Sequence, residues 1–357
     1  MVSMKNDTEN SANKPYKQIL KSTFIMGGSS VIVTILGIVR TKFIALILGP
    51  SGVGLTGIYM NIINLVGTFS GMGISESGMR QIAGACGTGN NETINRTVLS
   101  IRRIALLSGV AGLCILFFLS GTLSRLTFGN PYHADEIALL SVAILFGAVS
   151  GGQTALIQGM RRIGDLAKLS ILGALLSTLL SVPIVYYFGE RGIVYVLLCV
   201  SAMAILTTWW YSQKLKIPAV TLRWRDFFSE ARPLLRLGVA LMLGSLMAVG
   251  AQYVLRVFVV RYEGLSAAGI YHAATTLSLV YVGVILNAML TDFYPRLSAA
   301  AHDHEECRSL INKQVEVGLL LVVPGILAIM AFATLIIVIF YSSKFMQAVE
   351  ILRWQML

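Results

Sequence analysis

The residues of this 357-residue chain best placed to do chemistry are cations inside apolar runs. Arg40 and Lys42 lie toward the end of the first such run, and Arg256 toward the end of the seventh. An ionisable side chain at membrane depth costs several kcal/mol unless it faces a cavity or a partner. Arginine presents a planar fork that matches phosphate or carboxylate oxygens two at a time, and lysine a mobile point charge. The pattern therefore reads as a cationic wall suited to an anionic group. The competing reading is that these long side chains snorkel to a headgroup layer, and it weighs more for Lys42 and Arg261 than for Arg40 and Arg256.

Carboxylates are rarer. Glu76 falls near the end of the second apolar run and Asp292 just past the eighth. Either can hold a coupling proton or pair with an arginine. His272 titrates near neutral pH if it is accessible. Asn61, Asn64, Gln153 and Gln158 place amides within or beside apolar runs. They suit sugar hydroxyls in a cavity and suit interhelical hydrogen bonds equally. Cys86, Cys114, Cys199 and Cys307 show no metal-ligand or disulfide spacing. The sequence contains no nucleophile elbow, phosphate-binding loop or HExxH pattern, so we expect neither an enzyme nor a cofactor.

These residues must be positioned by membrane helices. Hydrophobic residues make up 55% of the chain and charged ones 13%, with a mean hydropathy of +0.75. Soluble domains carry about a quarter charged residues, so the predicted class is all-α, a polytopic transmembrane helix bundle. A crossing takes ~20 apolar residues. The predicted spans are Ser22–Leu48, Gly54–Met79, Ile104–Leu123, Ile137–Gly159, Leu166–Phe188, Gly192–Tyr211, Leu237–Val260, Ala267–Leu290 and Val317–Tyr341, with the start of a tenth before Leu357. The polar first 18 residues contain no cleavage motif, so the first span is expected to be both signal and anchor. Four segments result: a tail over 1–21, a first transmembrane half over 22–213, a linker over 214–236 and a second half over 237–357. Most of the 28 Lys and Arg collect in the tail, the linker and alternate loops, which predicts a cytoplasmic N-terminus. The net charge of +11 thus reports topology. No basic face is interleaved with aromatics, so nucleic acid is not an expected partner.

An internal repeat is also visible. Gly57-Ile58-Tyr59 opens the second span and Gly269-Ile270-Tyr271 the eighth, and the spacing from Arg40 to Arg80 equals that from Arg256 to Arg296. Six spans separate the two copies, an even number, so both halves share an orientation. Such parallel repeats enclose the substrate path of some transporters.

Several stretches then resemble a known family in their joint order. They are Arg40-Thr41-Lys42-Phe43 running on to Leu48-Gly49-Pro50-Ser51-Gly52-Val53-Gly54-Leu55, then Gly71-Met72-Gly73-Ile74 and Phe128-Gly129-Asn130. Leu156-Ile157-Gln158-Gly159-Met160-Arg161-Arg162, Phe293-Tyr294-Pro295-Arg296-Leu297-Ser298, Ser343-Lys344-Phe345 and Leu352-Arg353-Trp354-Gln355 continue the series. Together they resemble the lipid-linked oligosaccharide flippases of the multidrug/oligosaccharidyl-lipid/polysaccharide exporter superfamily. The branch they are most similar to handles O-antigen or enterobacterial common antigen. The resemblance implies twelve spans in two six-helix halves, so the second half is expected to be incomplete here. It implies a bacterial inner membrane protein of lipopolysaccharide biosynthesis, whose substrate is an undecaprenyl-pyrophosphate-linked oligosaccharide. It also implies membrane lipids, a polysaccharide polymerase and a chain-length regulator as partners. By that resemblance Arg40 and Arg256 would contact the pyrophosphate; Lys42, Asn61, Asn64 and Gln153 are the further substrate-binding candidates read from the residues, and Glu76 or Asp292 the candidates for coupling. The alternative in the same superfamily is an ion-coupled multidrug antiporter, which would favour acidic residues within the spans.

The topology is checked with reporter fusions. Alkaline phosphatase joined after Phe188 should be active and joined after Gln213 inactive; the reverse pattern would overturn the expected orientation.

Overall fold

Physics restricts a chain this apolar to helices, because only they satisfy every backbone N–H and C=O within one segment. The computed structural model describes the backbone of residues 2–88, 91–214, 224–299 and 304–357, and the side chains of 25–86, 92–214, 235–279, 283 and most of 305–357. Among the described residues there are helices and turns but no strand. The helices are α1 (Val2–Gly71), α2 (Ile74–Thr88), α3 (Asn91–Phe128), α4 (Ala134–Gly159), α5 (Ile163–Phe188), α6 (Gly192–Gln213), α7 (Trp224–Ala299), α8 (His304–Ala331), α9 (Ala333–Phe340) and α10 (Ala348–Met356). Single 3₁₀ turns at Gly189–Arg191 and Ser343–Phe345 lead into α6 and α10. The all-α expectation holds.

Among the described residues six helical stretches are long and apolar enough to cross a membrane. Three of them, of 47, 51 and 45 residues, have length for two crossings each at ~20 residues per crossing. That matches the nine full spans read from the sequence. Two boundaries differ. The second predicted span ran to Met79, but α1 ends at Gly71 and Met72 and Gly73 turn the chain with φ of 46° and 61° before α2. The ninth ran through to Tyr341, but the chain bends at Phe332 (φ −97°, ψ 14°) between α8 and α9. Hydropathy is blind to both breaks, because turn and helix residues here are equally apolar. The backbone of α7 starts at Trp224, inside the segment read as a linker, while 215–223 lie outside the described residues.

The chain forms two compact units. One comprises Met1–Arg40 with Ile58–Tyr262, the other Thr41–Gly57 with Glu263–Leu357. In the first, α3 packs on α4, α5 on α6 and α4 on α6. Their shared core includes Ile82, Ile101, Leu156, Ile157, Leu166 and Tyr211. The outward faces stay apolar: Phe118 is 80% and Leu179 66% exposed. In water such faces are a liability, whereas lipid tails are as apolar as leucine. Aromatic residues mark the ends. Tyr186 and Tyr187 stand exposed at the end of α5, and Trp209 and Trp210 at the far end of α6. Lys214 lies over the rings of Trp210 and Tyr211 at 4.9 and 4.2 Å. The 22 residues of α6 span about 33 Å at 1.5 Å per residue, close to the ~30 Å of hydrocarbon between two aromatic belts.

The second unit holds the repeat in its physical form. Gly49 (φ 69°, ψ −161°) breaks α1 and Gly264 (φ 87°, ψ 177°) breaks α7. Both conformations lie in a region essentially reserved for glycine. Five residues after each break stands a glycine of the crossing between the two helices. A Cβ on Gly54 would lie 2.3 Å from the Leu265 carbonyl oxygen, and one on Gly269 would lie 1.8 Å from that of Pro50. The contact is reciprocal: Pro50 and Gly54 meet Leu265 and Gly269 as equivalents. It shifts the repeat register by three residues, aligning Gly49-Pro50-Ser51 and Gly54 with Gly264-Leu265-Ser266 and Gly269 rather than matching the Gly-Ile-Tyr triplets. The triplets coincide in letters; the glycines coincide in backbone strain and in contact.

Gly269→Val should force these helices apart and, as overpacking does, cost about 1–3 kcal/mol or more. Thermal unfolding of the detergent-purified protein should show a clear drop in Tm, whereas Gly244→Ala, where an added Cβ meets nothing within 4 Å, should be neutral or slightly stabilising.

Candidate functional site

Among the cavities within the first unit are two with polar linings. The first, about 310 Å³, is bounded by Asn64 and Thr68 of α1, Ser75 and Glu76 of α2, Ser245 of α7 and apolar residues of α4. Among the described residues its one charged lining residue is Glu76, in the first turn of α2, where the positive end of the helix dipole favours an anion. The second, about 330 Å³, has Arg40 of α1 facing hydroxyls of three helices: Ser150 and Thr154 of α4, Ser170, Ser177 and Thr178 of α5, and Thr207 and Thr208 of α6. No carboxylate lines it. The two cavities thus carry opposite charge within one compact unit.

The residues singled out in the sequence separate accordingly. Arg40 lines the hydroxyl-rich cavity, and no hydrogen-bond or ion-pair partner is found for it among the described residues. Asn64 and Glu76 share the other cavity. Gln153 is buried (8% exposed) one residue before Thr154, and its side-chain oxygen meets no hydrogen-bond donor among the described residues. Asn61 and Arg256 are buried, engaged with neighbours, and border neither cavity. Lys42 belongs to the second unit, where its Nζ donates to the carbonyl of Ile339 in the last turn of α9. That is a helix-end cap, in which a cation meets carbonyls the helix leaves unsatisfied. Arg261 does the same for α3, donating to the Leu126 and Arg125 carbonyls at 3.0 and 2.9 Å. Asp292 lies outside the residues whose side chains are described.

One constellation escaped the sequence reading. Glu136 Oε2 accepts from the hydroxyl of Tyr59 and lies 2.8 Å from His133 Nδ1. Tyr59 is fully buried, and the Phe128 ring stacks on His133 with centroids 4.1 Å apart. The cluster ties α1 to the α3–α4 connection. The three-residue step from His133 to Glu136 at the start of an apolar run was its visible signal; Tyr59, distant in sequence, gave none. The same connection explains the Phe128-Gly129-Asn130 stretch: Gly129 has φ 81°, and a Cβ there would lie 2.8 Å from the capping guanidinium of Arg261.

The arrangement can bind polar groups in two chemically distinct wells inside an apolar bundle. Among the described residues no group of three or more His, Cys, Asp or Glu converges to hold a metal ion.

Three solved structures share this fold. An inward-facing multidrug resistance MATE family transporter of the MOP superfamily superposes with a TM-score of 0.75 at 16% identity, over 90% of this chain and 76% of that one. An outward-facing multidrug resistance MATE family transporter of that superfamily gives 0.67 at 17% identity, over 94% and 77%. A MOP superfamily transporter from Pyrococcus furiosus, described as having a binding pocket of reverse polarity that suggests a different function, gives 0.67 at 19% identity, over 95% and 77%. No curated protein matches the sequence. The model of a family of polysaccharide biosynthesis proteins matches residues 43–350. The chain belongs to that family, and it is a multi-pass membrane protein with the fold of MOP transporters.

Glu136→Ala should remove the acceptor that Tyr59 and His133 share, leaving the Tyr59 hydroxyl only His133 Nδ1, 3.0 Å away, at about 1–3 kcal/mol. Adding Tyr59→Phe should recover part of that loss, a non-additivity that a double-mutant cycle of thermal unfolding would read out; full additivity would show the pair to be uncoupled.

Proposed function

We propose that this member of the polysaccharide biosynthesis family is a flippase. It carries an undecaprenyl-pyrophosphate-linked oligosaccharide from the cytoplasmic to the periplasmic leaflet of the inner membrane, for O-antigen or related surface polysaccharide. The observation that carries the reading is the Arg40 cavity: a half-buried guanidinium among hydroxyls, without a partner among the described residues, in a bundle whose outer surface suits lipid. A glycan with about ten hydroxyls, at ~2 kcal/mol or more each when unpaired in hydrocarbon, faces a barrier of tens of kcal/mol. A barrier of ~30 kcal/mol allows roughly 10⁻⁹ crossings per second. A polar passage removes most of that cost while the lipid tail stays in the bilayer.

In this scheme the halves over 22–213 and 237–357 rock in alternating access, with the N-terminus in the cytoplasm. Arg40 and Arg256 supply positive charge for the anionic substrate, Lys42 supports them, and Asn61, Asn64 and Gln153 offer amides to the glycan. Glu76 or Asp292 carries the coupling ion. A polysaccharide polymerase and a chain-length regulator act downstream. The second reading, an ion-coupled multidrug antiporter, draws on the carboxylate of Glu76 in its own cavity. It leaves the basic cavity without a task.

The test is genetic. Deleting the gene should trap undecaprenyl-linked glycan on the cytoplasmic side and abolish the surface glycan. Restoring the full-length protein with Arg40→Ala should give roughly tenfold or greater loss of export at normal protein levels, as expected when a charged hydrogen bond of about 1.5–3 kcal/mol is removed. Normal surface glycan in the deletion strain refutes the flippase; normal export by both Arg40→Ala and Arg256→Ala refutes the arginines' part in it.

A further inference from the structure

We infer that the cavity around Arg40 is a sugar subsite: it holds one ring of the glycan, and the pyrophosphate binds elsewhere. The inference rests on the flippase reading and narrows what this pocket takes. It follows from where the hydroxyl protons go. Ser170 donates to the Leu166 carbonyl at 2.9 Å, Ser177 to Ala174 at 3.0 Å, and Thr178 to Leu36 at 3.3 Å. Thr207 donates to Met203 and Thr208 to Ala204, both at 2.8 Å. A hydroxyl has one proton and two lone pairs. These five hydroxyls have spent the proton on backbone and can offer a ligand only acceptors. Such back-bonding is ordinary in an apolar helix. What is unusual is that helices α5 and α6 aim it at one cavity whose cation is unpaired.

The cavity therefore presents five hydroxyls of α5 and α6 that can only accept, and its donors are the guanidinium of Arg40 with the hydroxyls of Ser150 and Thr154 on α4. Its complement is a molecule rich in O–H donors that carries one acceptor-only group. A sugar ring bearing a carboxylate or an acetamido carbonyl has that pattern. A pyrophosphate has the opposite one, acceptor oxygens on every side, and would meet lone pairs with lone pairs at each back-bonded hydroxyl. Size agrees: about 330 Å³ is the lower end of ligand cavities, which run from about 300 to 1,000 Å³, so one ring fits and a whole repeat unit does not. Gly37 and Gly173 leave the space open; a Cβ on Gly37 would meet nothing within 4 Å.

The experiment is ligand binding to the full-length protein in lipid nanodiscs, read by saturation-transfer NMR with glucuronate, N-acetylglucosamine, glucose and inorganic pyrophosphate. Glucuronate or N-acetylglucosamine should bind saturably and at least about tenfold tighter than glucose, a difference of about 1.4 kcal/mol; the tighter of the two identifies the group that Arg40 holds. Arg40→Gln should abolish the difference, and Gly37→Val, whose Cβ meets nothing within 4 Å and whose methyls take up cavity space, should abolish sugar binding altogether. Pyrophosphate should not displace the sugar. The inference is overturned if pyrophosphate competes in an Arg40-dependent way, if Gly37→Val binds sugar normally, or if no sugar saturates. Arg40-dependent pyrophosphate binding would leave the flippase standing with a different pocket occupant, whereas an unchanged surface glycan in the deletion strain would remove the flippase whatever the sugars do.

Discussion

In hydrocarbon there is no water to satisfy a polar group, and nearly every polar feature of this protein follows from that. Serines and threonines donate to carbonyls three or four residues back, as Ser177 does to Ala174 and Thr208 to Ala204. Cations near helix ends are spent on helix carbonyls: Lys42 on Ile339, Arg261 on Arg125 and Leu126, Arg353 on Met330. Arg40 and Glu76 have no such partner among the described residues, and each lines its own cavity.

The separation of those cavities gives the first unit its chemical character. A single polar hollow holding both signs of charge would tend to close on itself as an ion pair. Here Arg40 is backed by hydroxyls of α4, α5 and α6, while Glu76 is grouped with Asn64, Thr68, Ser75 and Ser245. Each charge keeps a polar but uncharged surround, which stabilises it without neutralising it. That leaves two polar cavities of opposite charge in one compact unit.

The crossing in the second unit answers a different need. Helices that break at Gly49 and Gly264 and meet at Gly54 and Gly269 approach so closely that backbone rests on backbone. Without a hydrophobic drive between helices in lipid, close van der Waals contact through small residues is what holds them. The same device, used twice with matched spacing, is the strongest internal sign of a repeated element in the chain.

The sequence by itself determined the all-α membrane class and the broad family of transporters, because each rests on one-dimensional quantities: apolar run length and the order of short motifs. It also singled out Arg40, since an arginine inside an apolar run is too costly to keep there without a cavity or a partner. It could not find the Tyr59–His133–Glu136 cluster, divide Arg40 from Glu76 between two cavities, or show that Lys42 and Arg261 are helix caps. Those are decided by which helix faces meet, and in a chain apolar on nearly every face the hydrophobic pattern does not say. Only the tertiary structure settled them, along with the breaks at Met72–Gly73 and Phe332 and the true register of the repeat, where backbone conformation rather than residue identity marks the equivalent positions.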